Sequence, residues 1–321
     1  MENKTLCVSS ILVVGHKGWI GQMIMDRLER MYLNAVVPPD DLRPEDIDGF
    51  RAFLHRVKPS HIISLIGRTH GKIGETEYPT IDYLEQEGKL RENVRDNLLA
   101  PLSLAFLAKE IGAHFTYMGT GCIFGYDEAH PCSEEGKGFT EDDVPNFFGS
   151  AYSTVKGSTD VLLNQFFSDT VLNLRIRMPI TTDKNPRNFV SKITSYKKIC
   201  SIENSMSVLP ELIPMAMNLA VNNYTGTLNL VNPGTISHNE ILAMYKEIVD
   251  PEFTWENFSL EEQNQILSAG RSNNKLDTTK LEELFPQILP IRESVKVTLE
   301  RMANPRRRKK PEKIVITVPM V

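Results

Sequence analysis

Short β-branched runs alternate with helix-periodic stretches along the first half of the chain. Ile11-Leu12-Val13-Val14 runs into a glycine cluster, after which Met23, Ile24, Leu28 and Met31 recur at helical spacing. A strand, a tight turn and a helix are predicted there. Asn34-Ala35-Val36-Val37 reads as a second strand and His61-Ile62-Ile63-Ser64-Leu65-Ile66 as a third. Between Asn93 and Glu110, Leu98, Leu102, Ala105 and Phe106 follow helical spacing, with Pro101 expected to bend or break the helix. Phe115 to Met118 predicts a fourth strand, and Val171 to Ile176 continues the sheet until Pro179 closes it. This alternation predicts an α/β fold, a Rossmann-type doubly wound parallel sheet with ligands at the C-terminal ends of its strands.

Beyond Thr181 the elements shorten and Asn, Pro and Ser become frequent, as in Asn185-Pro186-Arg187-Asn188 and Asn232-Pro233-Gly234. A smaller C-terminal domain is expected from here. The division predicted is 1–180 for a dinucleotide-binding domain, 181–303 mainly for substrate binding, and 304–321 for a basic tail. Ser237-His238-Asn239-Glu240 and Ser259-Leu260-Glu261-Glu262 have capping-box spacing and predict two helix starts. The basic run from Arg306 to Lys310 reads as a solvated tail.

The candidate chemistry lies at strand ends. Gly15-His16-Lys17-Gly18-Trp19-Ile20-Gly21 is a G-x-x-G-x-x-G turn, whose glycines let the backbone approach a pyrophosphate at a helix N-terminus. All seven residues are candidate cofactor contacts. Gly67, after the third strand, would admit the nicotinamide half, with Arg68 beside it. No acid sits directly at the end of the second strand, while His16, Lys17 and Arg43 supply positive charge, so NADP is favoured over NAD. Thr120 and Cys122, two apart after the fourth strand, could face one substrate. Tyr152 and Lys156, four apart, share a helix face, where a fixed positive charge is expected to lower the phenol's pKa. Alone, a Tyr-x-x-x-Lys pair is a common surface feature; the glycine turn gives it meaning.

Composition narrows the setting. The 321 residues are 41% hydrophobic, enough for a large core, and the net charge of −5 offers no basic field for nucleic acid. No apolar run approaches the ~20 residues of a membrane span. Four cysteines show no metal-type pairing, no signal-peptide pattern follows Met1, and a reducing, cytoplasmic compartment is expected.

The glycine turn, Thr120 and the Tyr152/Lys156 pair resemble the extended short-chain dehydrogenase/reductase superfamily. Within it, Gly121-Cys122-Ile123-Phe124, Arg177-Met178-Pro179-Ile180, Asn185-Pro186-Arg187-Asn188-Phe189, Ser237-His238-Asn239-Glu240-Ile241-Leu242 and Arg271-Ser272-Asn273-Asn274 are similar to the nucleotide-rhamnose synthase/epimerase-reductase family. That family is related to dTDP-4-dehydrorhamnose reductase, and the likeness spans about residues 8 to 300. It implies conversion of UDP-4-keto-6-deoxy-D-glucose to UDP-L-rhamnose: inversion at C3 and C5, then reduction of the C4 ketone by NADPH. Cys122 matches the family's epimerisation cysteine and Lys192 its partner. Thr120, Tyr152 and Lys156 would serve reduction. Asn185, Arg187, Asn188, Arg271 and Asn273, with Thr120, would hold the substrate.

A 4,6-dehydratase would need an acid directly after Thr120, and Gly121-Cys122 provides none, so a separate dehydratase must supply the keto sugar. The superfamily often dimerises through the helix bearing Tyr152, which makes a homodimer the corresponding expectation. Two alternatives stay open: a reductase without epimerase activity, and a dinucleotide-binding partner like the regulatory subunit of methionine adenosyltransferase.

Overall fold

The computed structural model describes residues 10–133 and 135–304. The basic run from Arg306 to Lys310 lies outside them. Strands β1 (Ile11–Val14), β2 (Ala35–Val36), β3 (His61–Ser64), β6 (His114–Thr120), β7 (Val171–Ile176) and β9 (Gly226–Asn229) form a six-stranded sheet in the order β2-β1-β3-β6-β7-β9. Every pairing in it is parallel. Two short pairs lie apart: the antiparallel hairpin β4 (Gly71–Ile73) and β5 (Thr76–Tyr78), and β8 (Lys198–Ile199) beside β10 (Glu256–Asn257).

A parallel sheet buried on both faces needs nearly continuous apolar strands. β1, β3, β6 and β7 are buried at every position. Helices α2 (Ile47–Val57), α4 (Ala100–Ile111) and α5 (Ala151–Phe167) cover one face through Phe50, Leu54, Leu104, Leu107 and Leu163. Helices α1 (Trp19–Arg30) and α7 (Leu209–Val221) cover the other through Ile24, Leu28, Leu209, Ile213 and Met217. The chain steps from β1 out to β2 and returns on the other side of β1 to β3. A crevice therefore opens between the C-terminal ends of β1 and β3, where ligands bind in doubly wound sheets.

Pro101 marks an interruption of the α-helical pattern, which takes the form of a wider turn rather than an end to the helix. A short α3 (Leu90–Val94) passes into a π turn over Arg95–Leu99 and then into α4, which carries Pro101 in its first turn. The wider turn takes up the missing N–H. The Asn97 carbonyl, which an α-helix would pair with residue 101, accepts from Thr159 Oγ1 at 2.6 Å instead.

The expected boundary at residue 180 is not clean, and Pro179 does not close the sheet. Both α7 and β9 lie beyond it yet return to the sheet. The reason is visible in their residues: Leu-Pro-Glu-Leu-Ile-Pro-Met-Ala-Met is apolar on most sides, and Gly226-Thr-Leu-Asn229 is too short and polar to read as a strand. The rest of the C-terminal half packs α6 (Phe189–Ile193), α8 (His238–Ile248) and α11 (Ile291–Ala303) around Ile180, Val190, Ile241, Leu242, Val295 and Leu299. Both capping boxes form, on α8 and on α9 (Leu260–Ile266), and α10 (Thr279–Leu284) packs Leu281 beneath the sheet. Among the described residues, no helix is long and apolar enough to cross a membrane.

One buried ion pair fastens α5 to the sheet. Arg175 of β7 is fully buried and donates to both Asp160 oxygens, Nε to Oδ2 at 2.9 Å and Nη2 to Oδ1 at 2.6 Å. Asn173 adds a third bond to Asp160 Oδ2 at 2.8 Å, and Arg175 Nη1 reaches the Thr140 carbonyl at 3.1 Å. Removing one partner of such a pair strands a charge in the interior, at a cost of about 3–5 kcal/mol. Asp160→Asn should lower the unfolding free energy by that amount in a denaturant titration; a change below about 1 kcal/mol would show that the pair is dispensable.

Candidate active site

The glycine turn joins β1 to α1 at the mouth of the crevice. Gly15 has φ +92°, in the left-handed region, and a Cβ on Gly21 would lie 2.2 Å from the Gly15 carbonyl oxygen. The turn closes by a Gly18 N–H bond to Gly15 O at 3.0 Å. Gly18 caps α1 without a side chain, and no acid occupies the first turn, so the first N–H groups of a twelve-residue helix face outward. These features fit the pyrophosphate of a dinucleotide.

The other expected cofactor contacts divide. Ile20 packs into the core and has only its backbone to offer. Trp19 donates its indole N–H to Asp183 of the C-terminal half at 3.1 Å. Lys17 is not free: it pairs with Asp40 at 2.6 Å, both side chains being exposed. Asp40 lies four residues beyond β2, so the acid absent from the strand's end is supplied by the following loop. The Lys17 hydrogen bond and charge hold the Asp40 carboxyl below its ordinary range, with His16 and Arg43 acting the same way. A 2′-phosphate could replace that carboxylate on Lys17. Arg68 is engaged by Asp96 at 2.8 Å, and its backbone N–H and C=O are both bonded by Asn97, at 3.0 and 2.9 Å. The π turn thus sets Asn97 against the loop beyond β3, a role that spacing alone does not reveal.

The proton-transfer residues converge at the end of β6. Thr120 Oγ1 accepts from the Cys122 backbone N–H at 3.0 Å, and the Thr120 side chain lies near enough to the Tyr152 phenol to favour its ionised form. Cys122 is partly buried and packs with Tyr152, Tyr83 and Leu84. Strand β6 ends at Thr120, so a turn rather than strand alternation brings the thiol to the phenol. The Ser150 side chain accepts from the Ser153 N–H and starts α5 just ahead of Tyr152. Tyr152 and Lys156 are both buried, at 9% and 5% exposure.

The expected lowering of the Tyr152 pKa does not occur. Burial raises it, charge on Cys122 raises it further, and Thr120 only partly offsets them. The physical reason is the placement of the Lys156 ammonium, which donates to the hydroxyl of Tyr117 on β6. Tyr152 therefore keeps its proton, as an acid requires. Burial also lowers Lys156 to about 8, while Asp160 and Cys122 favour its charge.

Lys192 lies on α6, and its ammonium has no hydrogen-bond or ion-pair partner among the described residues. Burial lowers its pKa, and Arg187 and Arg271 lower it further. Arg187 Nη2 donates to His70 Nε2 at 2.6 Å, and burial with Arg187, Arg68 and Lys192 holds that histidine below its ordinary range. Arg271 is paired with Asp82. Asn185 accepts from the Arg187 N–H at 2.9 Å and shapes the turn.

Two expected substrate contacts are otherwise occupied. Asn188 is fully buried: its Nδ2 donates to the carbonyls of Thr181 and Asp183, and its Oδ1 accepts from Thr181 and Val190. Asn273 Oδ1 accepts from Asn204 and its Nδ2 donates to the Arg271 carbonyl. Both build the walls. Sequence reasoning gives Arg177 a place in a motif but no role; its buried guanidinium donates to Asn204 Oδ1, the Ser272 carbonyl and the Asn274 carbonyl. Asn274 in turn bonds the carbonyls of Gly121 and Phe124, so this network carries the Cys122 turn.

A glycine turn at the switch point of a parallel sheet, together with a Thr, Tyr and Lys set at the end of β6, places the protein in the short-chain dehydrogenase/reductase class. Over 291 residues the chain is 50% identical to protein L780 of Acanthamoeba polyphaga mimivirus, covering 91% of this chain and 98% of the relative. The crystal structure of that virus's L780 UDP-rhamnose synthase matches with a TM-score of 0.86 at 49% identity, covering 91% of this chain and 99% of that one. The chain is also 42% identical over 287 residues to the bifunctional dTDP-4-dehydrorhamnose 3,5-epimerase/dTDP-4-dehydrorhamnose reductase of Arabidopsis thaliana, covering 89% and 91%. It belongs to this nucleotide-rhamnose epimerase-reductase family. A dTDP-4-dehydrorhamnose reductase structure from Clostridium acetobutylicum shares the fold, with a TM-score of 0.72 at 18% identity over 91% of this chain and 98% of that one. No protein-family profile matches the chain.

The glycine geometry makes a direct prediction. Gly21→Ala places a methyl where the Gly15 carbonyl stands, so NADPH affinity should fall by ~10-fold or more in a fluorescence titration. Unchanged affinity would remove the turn from the cofactor site.

Proposed function

We propose that the protein is a bifunctional, NADPH-dependent 3,5-epimerase/4-reductase that converts UDP-4-keto-6-deoxy-D-glucose to UDP-L-rhamnose. The observation that carries this is the packing of Cys122 against Tyr152, which puts a thiol for epimerisation beside the acid for reduction. A reductase alone has no use for that thiol.

Protons beside a ketone are acidic because the resulting carbanion delocalises into the carbonyl. Thr120 hydrogen-bonds the C4 oxygen and steadies the charge that develops there. At C3 and then at C5, the Cys122 thiolate takes the proton and Lys192 returns one on the opposite face, the two groups exchanging protons with solvent between the rounds. Burial of Lys192 among Arg187 and Arg271 makes its ammonium readier to give up a proton. Bound NADPH supplies the hydride that reduces the C4 ketone. Tyr152 gives its proton to the carbonyl oxygen, and Lys156 offsets the phenolate left behind. A negative charge on Cys122 raises Tyr152, so the phenol stays protonated while the thiol works.

Arg187 and Arg271, with Asn185 at the turn, would hold the substrate. The keto sugar comes from a separate 4,6-dehydratase. A cytoplasmic location suits a reaction that needs a reduced thiol, and Cys122, Cys132 and Cys200 are all unpaired. A homodimer would cover the exposed Leu99 and Phe106 of the helix through α4 and Phe166 of α5.

The two activities are separable by experiment. Cys122→Ser should lose deuterium incorporation at C3 or C5 in heavy water, yet reduce a pre-epimerised 4-keto-L-rhamnose nucleotide normally. UDP-L-rhamnose formed at the wild-type rate from the unepimerised sugar would defeat the bifunctional reading. Tyr152→Phe should cut reduction by ~10²-fold or more while sparing exchange. Because Lys156 loses its charge above about 8, reduction should decline as the pH rises through that value, toward ~10-fold per unit. A flat alkaline profile to pH 10 would contradict a role for the ammonium.

A further inference from the structure

The buried ammonium of Lys156 is held by a phenol that has no assigned part in the reaction. Tyr117 lies three residues before Thr120 on β6 and is 1% exposed. Its hydroxyl accepts from Lys156 Nζ, which also sits 4.5 Å from the centroid of its ring. The acid nearest on α5 is already committed: Asp160 bonds Arg175 through both oxygens and Asn173 through one. The remaining ionisable groups that bear on the pair are Cys122 toward Lys156 and Tyr152 toward Tyr117. Tyr117 is thus the direct hydrogen-bond acceptor that the described residues offer to this ammonium.

We propose that Tyr117 is a positioning residue of the reduction step, fixing the Lys156 ammonium by one hydrogen bond and by the face of its ring. The proposal deepens the functional reading above and rests on Lys156 serving reduction. An ammonium has three donors, and this arrangement commits one to Tyr117 while leaving two for the cofactor's ribose and for Tyr152. Without the hydroxyl, the cation keeps only the ring face, which attracts charge but does not aim the N–H groups. The head group then samples several positions. It also loses its proton more readily, since a charge-assisted hydrogen bond that favours the ammonium has gone. The carboxylate of Asp160 cannot substitute, because Arg175 and Asn173 hold it.

The test uses the full chain with NADPH and a pre-epimerised UDP-4-keto-L-rhamnose. Tyr117→Phe should reduce kcat by ~10-fold and move the alkaline limb of the profile about one pH unit lower, the scale of one charge-assisted bond. Solvent deuterium exchange at C3 and C5 should stay at the wild-type rate, showing that fold and substrate binding persist. A wild-type kcat and an unmoved limb in Tyr117→Phe would overturn the proposal. Lys156→Met, run in parallel, should abolish reduction; if it does not, the functional reading of the lysine fails first, and the two failures are distinct. If Tyr117→Phe also loses exchange, a fluorinated tyrosine placed at position 117 alone keeps both ring and hydroxyl. Its oxygen is a weaker acceptor, so the limb must still move lower, and an unmoved limb there refutes the positioning role.

Discussion

The contact between Asp160 and Arg175 governs how the site is assembled. A guanidinium with no exposure, in the middle of a parallel sheet, is tolerable only if its charge and donors are met, and α5 meets them through Asp160. Tyr152, Lys156 and Asp160 succeed one another at helical spacing, so the bond that seats Asp160 also sets the rotation of α5 about its axis. The phenol and the ammonium are thereby turned toward the end of β6. A hydrophobic pair of equal volume could hold the helix down, but it would not select one rotation so sharply, because dispersion contacts are not directional.

A second buried guanidinium does for the loops what the first does for the helix. Arg177 gathers Asn204, Ser272 and Asn274 from distant parts of the chain, and Asn274 grips the two carbonyls that flank the Cys122 turn. The C-terminal half therefore forms part of the floor under the Cys122 thiol and is more than a lid on a finished site. This explains why the residues of the Asn-rich stretches divide as they do. Asn188 and Asn273 spend their amides on the framework, while Arg187 and Arg271 reach across to His70 and Asp82 and bear on Lys192.

Much of the framework is legible in the sequence alone. β1, the glycine turn and α1 announce themselves through a buried run, a steric need for glycine and a periodic face, all of them local properties. The two capping boxes are equally local. What escaped is what depends on partners far away in sequence. The four residues of β9 are a strand only because β7 lies beside them, and α7 shows little polar face because the sheet buries so much of it. The Tyr152 pKa escapes the sequence for the same reason: burial raises it, and although helical spacing brings Lys156 near, a phenol on β6 takes the ammonium's hydrogen bond. Asn97 needed the π turn, which is the structural answer to Pro101 and leaves no periodic trace.

The link between Trp19 and Asp183 joins the cofactor turn to the C-terminal half through a single indole N–H. The chain has only two tryptophans, and the other, Trp255, is stacked on Phe253 and bonded to Asn239 well inside the C-terminal half. The emission of Trp19 is therefore a built-in optical gauge of the seam. A Trp255→Phe background would leave one fluorophore, whose spectrum and quenching report on the contact between the glycine turn and Asp183. The molecule carries its own label where its glycine turn meets the C-terminal half.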